Sequence, residues 1–327
     1  MRMLLTGGSG FVGSHVAERL SELGHTVRAL VRPSSDKRAL EKVGGLELVT
    51  GAVENRASLD DAVKGCDAVV HVAGLVKARS SKEFFDVNAE GTKNLLDAAI
   101  AAGSVRRFVQ VSSLAAIGPS FDGSPVADDA SAHPVNHYGR SKLAGELAVL
   151  GAAERIPVTL IRPPLVYGPR DRETLAFFTS IRHGALPIVG DGRNTLSVVY
   201  GPDCAAAIVA AALSDGPSGK AYFVEDGAVY VWREALEDVE RALGKRAFLR
   251  KGVPVWTLKV AAAASQTWGK ITNTAHMLTL DKVNELEQRH WVCSGEGARR
   301  DLKWAPQVQW PEGVQLTAEW YRREGWL

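Results

Sequence analysis

The 327-residue chain predicts an α/β fold: a doubly wound parallel sheet followed by a smaller, mostly helical C-terminal region. Three observations carry this expectation. Short apolar runs alternate with helical patterns through residues 1–170, the rhythm of βαβ units. A glycine-rich turn at 7–13 separates the first run from the first helix. Beyond Pro169 helical patterns dominate, and all eight tryptophans fall there: Trp232, Trp256, Trp268, Trp291, Trp304, Trp310, Trp320 and Trp326.

The predicted strands are Met3–Thr6, Val27–Val31, Leu46–Thr50, Ala68–Val72, Arg107–Val111 and Val158–Arg162. Between them lie predicted helices at Gly13–Leu23, Ser58–Lys64, Asn88–Ala102 and Tyr138–Ala153. Right-handed crossovers then leave a sheet with helices on both faces as the simplest solution. Further helices are expected at Arg172–His183, Asp203–Leu213, Trp232–Leu243 and Leu280–Gln288. The division is a dinucleotide-binding unit over 1–170 and a substrate-binding region over 171–327, some of whose segments return to the larger unit. The tryptophans pack the second region onto the first, and some are expected to line an apolar pocket.

Composition bounds the function. Hydrophobic residues make up 46%, charged residues 23%, and the net charge is +2, which gives no nucleic-acid footprint. Cys66, Cys204 and Cys293 are odd in number and far apart, so neither a disulfide framework nor a metal knuckle is expected, and a cytoplasmic setting is. The N-terminal residues run straight into the glycine turn without the apolar stretch of a signal peptide. The stretch Val253–Trp268 is broken by Pro254, Lys259 and Gln266. It is too short to span a bilayer and reads as a partly buried helix in preference to a peripheral membrane contact.

Between a strand and an amphipathic helix, Thr6-Gly7-Gly8-Ser9-Gly10-Phe11-Val12-Gly13 has the setting of a dinucleotide fingerprint. Gly7 permits the turn, Gly10 admits a pyrophosphate close to the backbone, and Gly13 lets helix and strand approach. The amides from Ser9 through Phe11 and Val12, with the positive end of the helix, hold the anion. No G-K-[ST] follows, so this is not a Walker loop. After the second strand stands Arg32, where an NAD-preferring protein usually has an acidic residue. A guanidinium there favours a 2′-phosphate, so NADP(H) is expected over NAD(H).

Downstream, the run Val109–Val111 ends in Ser112-Ser113, at the strand end where such sheets bind ligands. Ser113 is the candidate catalytic serine, with Ser112 as its neighbour. Tyr138 and Lys142 stand at i and i+4 on one helix face. An ammonium close to a phenol is expected to favour the phenolate and lower the tyrosine pKa, giving an acid/base usable near neutrality.

These motifs together resemble the extended short-chain dehydrogenase/reductases of the NAD(P)-dependent epimerase/dehydratase superfamily, whose core is a Rossmann-type sheet. The resemblance rests on T-G-x-x-G-x-x-G at 6–13, His71-Val72-Ala73-Gly74, Asp86-Val87-Asn88 with Gly91-Thr92, and Ser112-Ser113. It continues through Tyr138/Lys142 and Ile161–Pro169. It implies that Tyr138 is the acid/base, that Lys142 binds the nicotinamide ribose and tunes Tyr138, and that Ser113 orients the reacting oxygen. Ala73, Gly74 and Asn88 would flank the cofactor, Val111 would border it, and Pro163 to Val166 would meet its nicotinamide end. Homodimerisation through two helices packed into a four-helix bundle is also implied.

Two departures refine this expectation. The third strand runs into Gly51-Ala52-Val53, where the family has an aspartate toward the adenine. Leu196 stands where sugar-nucleotide members carry a diphosphate-binding arginine, although Arg193 is near. The missing diphosphate arginine, with the pattern Val27-Arg28-Ala29-Leu30-Val31-Arg32 and the tryptophan-rich second half, resembles the dihydroflavonol-reductase and 3β-hydroxysteroid-dehydrogenase branch. The expected function is NADP(H)-dependent interconversion of a ketone or aldehyde and an alcohol on an apolar small molecule. The alternatives are a nucleotide-sugar epimerase/dehydratase with tightly bound NAD, and a non-catalytic cofactor sensor. His133 and His137 read as the border of the site mouth rather than as metal ligands, because Pro134 interrupts any helix between them. The stretch Lys245 to Lys251 reads as a solvated basic surface, and Asp128-Asp129 as a turn or cap.

Overall fold

The computed structural model describes residues 1–272 and 279–327, and side chains outside 267–278. Trp268 therefore lies outside the described side chains. Six predicted strands form within a residue or so of expectation: β1 (Arg2–Thr6), β2 (Thr26–Val31), β3 (Leu46–Thr50), β4 (Ala68–His71), β5 (Arg107–Val111) and β6 (Val158–Arg162). They lie parallel in the order β6-β5-β4-β1-β2-β3. A seventh strand, Lys220–Phe223, extends the sheet beyond β6, also in parallel.

Alternation along the strands sends side chains to two cores. Met3 and Leu5 join Val16, Leu20 and Ile208 on one face, whereas Leu4 joins Val69, Leu96 and Phe108 on the other. The helices α1 (Phe11–Glu22), α2 (Arg56–Ala62), α3 (Ser81–Phe85), α4 (Gly91–Ala102) and α5 (His137–Leu150) connect the strands. The predicted helix from Asn88 is broken at its start, since Asp86–Glu90 forms a π-turn and regular helix begins at Gly91.

Two glycines on α5 set how closely it approaches its neighbours. A Cβ on Gly139 would stand 2.1 Å from the Ala115 carbonyl oxygen, and one on Gly145 would stand 2.4 Å from that of Asn88. Larger residues would push the helix, and the Tyr138/Lys142 pair with it, off the sheet.

The second half does not stay apart. Helix Gly201–Leu213 packs on α1 and β5, and Lys220–Phe223 completes the large sheet. The rest builds a smaller core of Tyr167, Phe178, Trp310 and Tyr321. It also contains short strands that helical periodicity did not reveal. Leu165–Tyr167 pairs with Val198–Tyr200, and Thr195–Leu196 lies between Tyr230–Val231 and His290–Trp291. Arg162 and Glu146 form a buried ion pair at 2.7 Å. Arg162 also donates to the Asp128 carbonyl oxygen, and the Asp128 carboxylate accepts from the Phe223 amide at 2.7 Å. Asp128 thus caps the edge strand. The three cysteines are free and buried.

Candidate active site

A cleft of about 2280 Å³ opens along the carboxyl ends of the large sheet and runs beneath the smaller region. It exceeds the several hundred cubic ångströms of an ordinary small-molecule pocket, leaving room for an extended dinucleotide and a second ligand. The candidate residues Gly7, Ser9, Gly10, Phe11, Val12 and Gly13 line one end.

The glycine turn is fitted to a close-approaching anion. Gly7 has φ +73°, and a Cβ on it would meet the Ala73 amide nitrogen at 2.6 Å. A Cβ on Gly13 would stand 2.1 Å from the Gly7 carbonyl oxygen. Gly10 caps α1 without a side-chain bond, which leaves first-turn amides turned toward the cleft. Side chains at Gly7 and Gly13 would push the turn off Ala73 and the helix off the turn, so the glycines keep the tight strand-to-helix turn that fits a dinucleotide diphosphate.

Arg32 lines the cleft at the end of β2 and is exposed. Its backbone is folded into a turn with Ser35. Its neighbour Arg38 is already paired with Asp36. Ala52 and Val53 line the same end, where the Ser58 hydroxyl accepts from the Ala52 amide at 3.2 Å.

Toward the middle of the cleft, Ala73, Gly74, Val111, Pro163 and Val166 line the wall. Asn88 does not line it. Its amide is buried behind the wall, accepting from the Leu75 amide at 2.8 Å and donating to the Leu75 carbonyl and the Ser141 hydroxyl. Asn88 therefore positions the Gly74-Leu75 turn and α5.

His71 extends this brace. Thr92 donates to the Asn88 carbonyl oxygen, so its hydroxyl must accept from His71 Nε2 at 2.9 Å. His71 Nδ1 then accepts from Thr6, whose hydroxyl accepts from the Ala73 amide. Burial, followed by the Lys142 charge, depresses His71 to about 3, so the imidazole is neutral.

Ser113, Tyr138 and Lys142 all line the cleft. Ser113 caps a short 3₁₀ turn by accepting from the Ala115 amide at 3.1 Å. The Ser112 hydroxyl is buried and has no hydrogen-bond partner among the described residues. Asn136 caps α5 by accepting from the Gly139 amide at 2.7 Å, which fixes the turn that carries Tyr138. Phe84 lies against Tyr138, with ring centroids 6.1 Å apart.

The expected lowering of the Tyr138 pKa does not hold. Burial pushes the phenol up to about 12, the Ser113 hydroxyl offsets part of that rise, and the Glu285 charge adds to it. The Lys142 ammonium is instead bonded to the Val111 carbonyl oxygen, and burial holds it down at about 8. Shared spacing on a helix face says nothing about desolvation, which dominates here.

Two acidic residues of helix Leu280–Leu286 clamp the start of α5 and were not anticipated. The Asp281 carboxylate accepts from the His137 amide at 2.8 Å, and Glu285 accepts from the Asn136 side chain at 2.7 Å. Their sequence signal is faint, because a helix N-terminus 144 residues away is invisible to local patterning. His137 lines the cleft, whereas His133 turns away to contact the Pro119 carbonyl oxygen and stack on Phe121.

Leu165, Phe177, Leu196, Trp232, Trp291, Trp320 and Trp326 give the cleft apolar lining, interspersed with charged and polar side chains such as Arg172, Asn194, Glu285 and Arg323. Trp304 and Trp310 are buried core residues, and Trp256 is exposed. Arg193 is exposed and lies outside the residues that line the cleft.

The profile of the NAD dependent epimerase/dehydratase family matches residues 3–224. The chain belongs to this family of extended short-chain dehydrogenases/reductases, with reductases among its relatives. It is similar to a ceramide reductase of Caulobacter vibrioides, 32% identical over 99% of this chain and 95% of the relative. It also resembles a 2-alkyl-3-oxoalkanoate reductase of Stenotrophomonas maltophilia, 30% identical over 96% and 98%. Among solved structures, a dTDP-glucose 4,6-dehydratase of Streptomyces venezuelae with NAD bound superposes with a TM-score of 0.82. It is 25% identical and aligns over 100% of this chain and 98% of that one.

Proposed function

We propose that this protein is an NADP(H)-dependent oxidoreductase interconverting a ketone or aldehyde and an alcohol on an apolar small molecule. One observation carries the reading: Ser113, Tyr138 and Lys142 line the same cleft as Leu165, Phe177, Leu196 and four tryptophans. A leucine at 196 offers a diphosphate-sugar nothing to bind, but suits a hydrocarbon. Relatives named as reductases of ceramide, of a farnesylated dihydroquinoline oxide and of 2-alkyl-3-oxoalkanoates support an apolar substrate.

The bound nicotinamide would supply or accept the hydride. The chain's own residues do the rest. Ser113 and Tyr138 donate hydrogen bonds to the substrate oxygen and orient it. With its pKa raised, Tyr138 carries its proton at neutral pH and delivers it to that oxygen as negative charge develops. The Lys142 ammonium stabilises the phenolate left behind. Gly7, Gly10 and Gly13 hold the diphosphate, and Arg32 meets the 2′-phosphate.

The test is turnover of long-chain 3-oxo compounds with NADPH and with NADH, followed by absorbance of the reduced nicotinamide. Net oxidation, faster with NADPH, supports the reading. Cofactor that stays bound through dilution, with no net redox change and conversion of a nucleotide sugar, would overturn it.

A further inference from the structure

The segment joining the two helices Trp232–Leu243 and Leu280–Leu286 departs from the rest of the surface. Residues 241–280 contain seven Lys or Arg and not one Asp or Glu, in a chain whose net charge is only +2. Phe248 is 85% exposed, Trp256 68% and Val260 64%, with Leu249 and Val253 also open to solvent. Within helix Val255–Thr272, Trp256, Val260 and Ala264 are all exposed and follow i, i+4, i+8, so one apolar stripe faces outward. The expected partly buried helix is thus turned largely outward, with Ala262 its one fully buried residue among the described positions.

Half of the described cations around this stripe are uncommitted, Arg241 being paired with Asp238. Lys245, Arg246 and Lys251 are exposed and have no acidic partner among the described residues. Arg250 pairs with Glu237 and Glu240, and Lys259 with Glu287. An exposed apolar stripe ringed by free cations matches a surface that is anionic outside and hydrocarbon within. A soluble acidic protein would satisfy the cations but leave Phe248 and Trp256 needing a shaped pocket.

The face also adjoins the cleft. Val253 pairs with Val189, and Gln266 lies on the same helix; both Val189 and Gln266 line the cleft. We propose that residues 245–264 dock this protein on an anionic lipid bilayer, with Trp256 and Phe248 inserted at the headgroup boundary and Lys245, Arg246 and Lys251 held against the phosphates. Exchange of the apolar substrate with the bilayer, through the adjoining cleft mouth, rests on the reductase reading; the docking itself does not.

The experiment is sedimentation of the full chain with vesicles of phosphatidylcholine alone, or carrying about 30 mol% phosphatidylglycerol, at about 0.1 and 0.5 M salt. The expected result is binding to the anionic vesicles that weakens in high salt. Trp256→Glu combined with Val260→Glu, and separately a triple change of Lys245, Arg246 and Lys251 to Glu, should each lower the bound fraction by about tenfold or more. Reduction of a short, water-soluble ketone should be unchanged in both, which also shows that they fold. Wild-type protein left in the supernatant with anionic vesicles would overturn the proposal, as would variants that bind like wild type. It also fails if the glutamates split a homodimer while vesicle binding persists, which would make the face a contact between copies. Because sedimentation needs no turnover, docking can stand even if the reductase reading falls.

Discussion

The Lys142 ammonium donates to the Val111 carbonyl oxygen at 2.6 Å, so one charged hydrogen bond joins the tip of β5 to α5. Burial has lowered this ammonium to about 8, so it is charged below that pH and neutral above it. Tyr138, raised to about 12, keeps its proton across the same range. In the proposed reductase mechanism, ketone reduction would use the protonated phenol and the ammonium. Its kcat/KM should be level near neutrality and fall as pH rises through about 8. Alcohol oxidation needs the phenolate and should rise with pH. Rates in both directions from about pH 6 to 10 check this, and Lys142→Met should abolish the inflection near 8.

Replacing the phenol isolates proton transfer. Tyr138→Phe should lower kcat by about 10²–10⁴-fold while leaving NADP(H) affinity within about twofold. Stopped turnover with intact cofactor fluorescence quenching is the expected signature.

Cofactor choice should turn on one exposed guanidinium. Arg32→Asp should reduce kcat/KM with NADPH by at least about tenfold and improve it with NADH, since a charge-assisted bond is worth about 1.5–3 kcal/mol. Wild-type protein that prefers NADH would refute this assignment.

The neutral imidazole in the brace behind the cleft links stability to acid. Its folded pKa of about 3 lies below the ordinary 6.5, so the unfolded chain binds the extra proton first. The stabilisation from His71 is complete above about 6.5 and is lost as pH falls toward 3, at roughly 1.4 kcal/mol per pH unit. Urea melts across that window should flatten in His71→Gln. That variant should also lose about 1–3 kcal/mol at neutral pH through the broken Thr6–His71–Thr92 chain.

The cap on α5 should matter to chemistry as well as folding. Asn136→Ala removes the acceptor for the Gly139 amide and the donor to Glu285. A loss of about 1 kcal/mol in stability is expected, with a fall in kcat larger than any change in cofactor binding.

Much of this was legible in the chain, for physical reasons. Strand alternation with fully apolar runs such as Met3–Leu5 and Ala68–Val70 announces a sheet covered on both faces. The glycines at 7, 10 and 13 mark backbone approaches that no side chain would allow. The Tyr138 pKa was misread because spacing reports direction, whereas the shift depends on how much water the fold removes. Asp281 and Glu285 were invisible because their partners are far away in sequence. The short strands around Leu196 escaped notice because two or three residues carry no measurable period. For Asn88 the motif gives the place but not the long-range partners, since its amide bonds to Leu75 and Ser141.

The edge strand Lys220–Phe223 has a practical corollary. Because Asp128 and β6 both hold it, stopping the chain after residue 170 would strip hydrogen-bond partners from Val158–Arg162 and bare a flat row of amides and carbonyls. Such a fragment would invite strand-to-strand stacking between copies. Expression designs that seek the nucleotide-binding half alone should carry the chain at least through Val224.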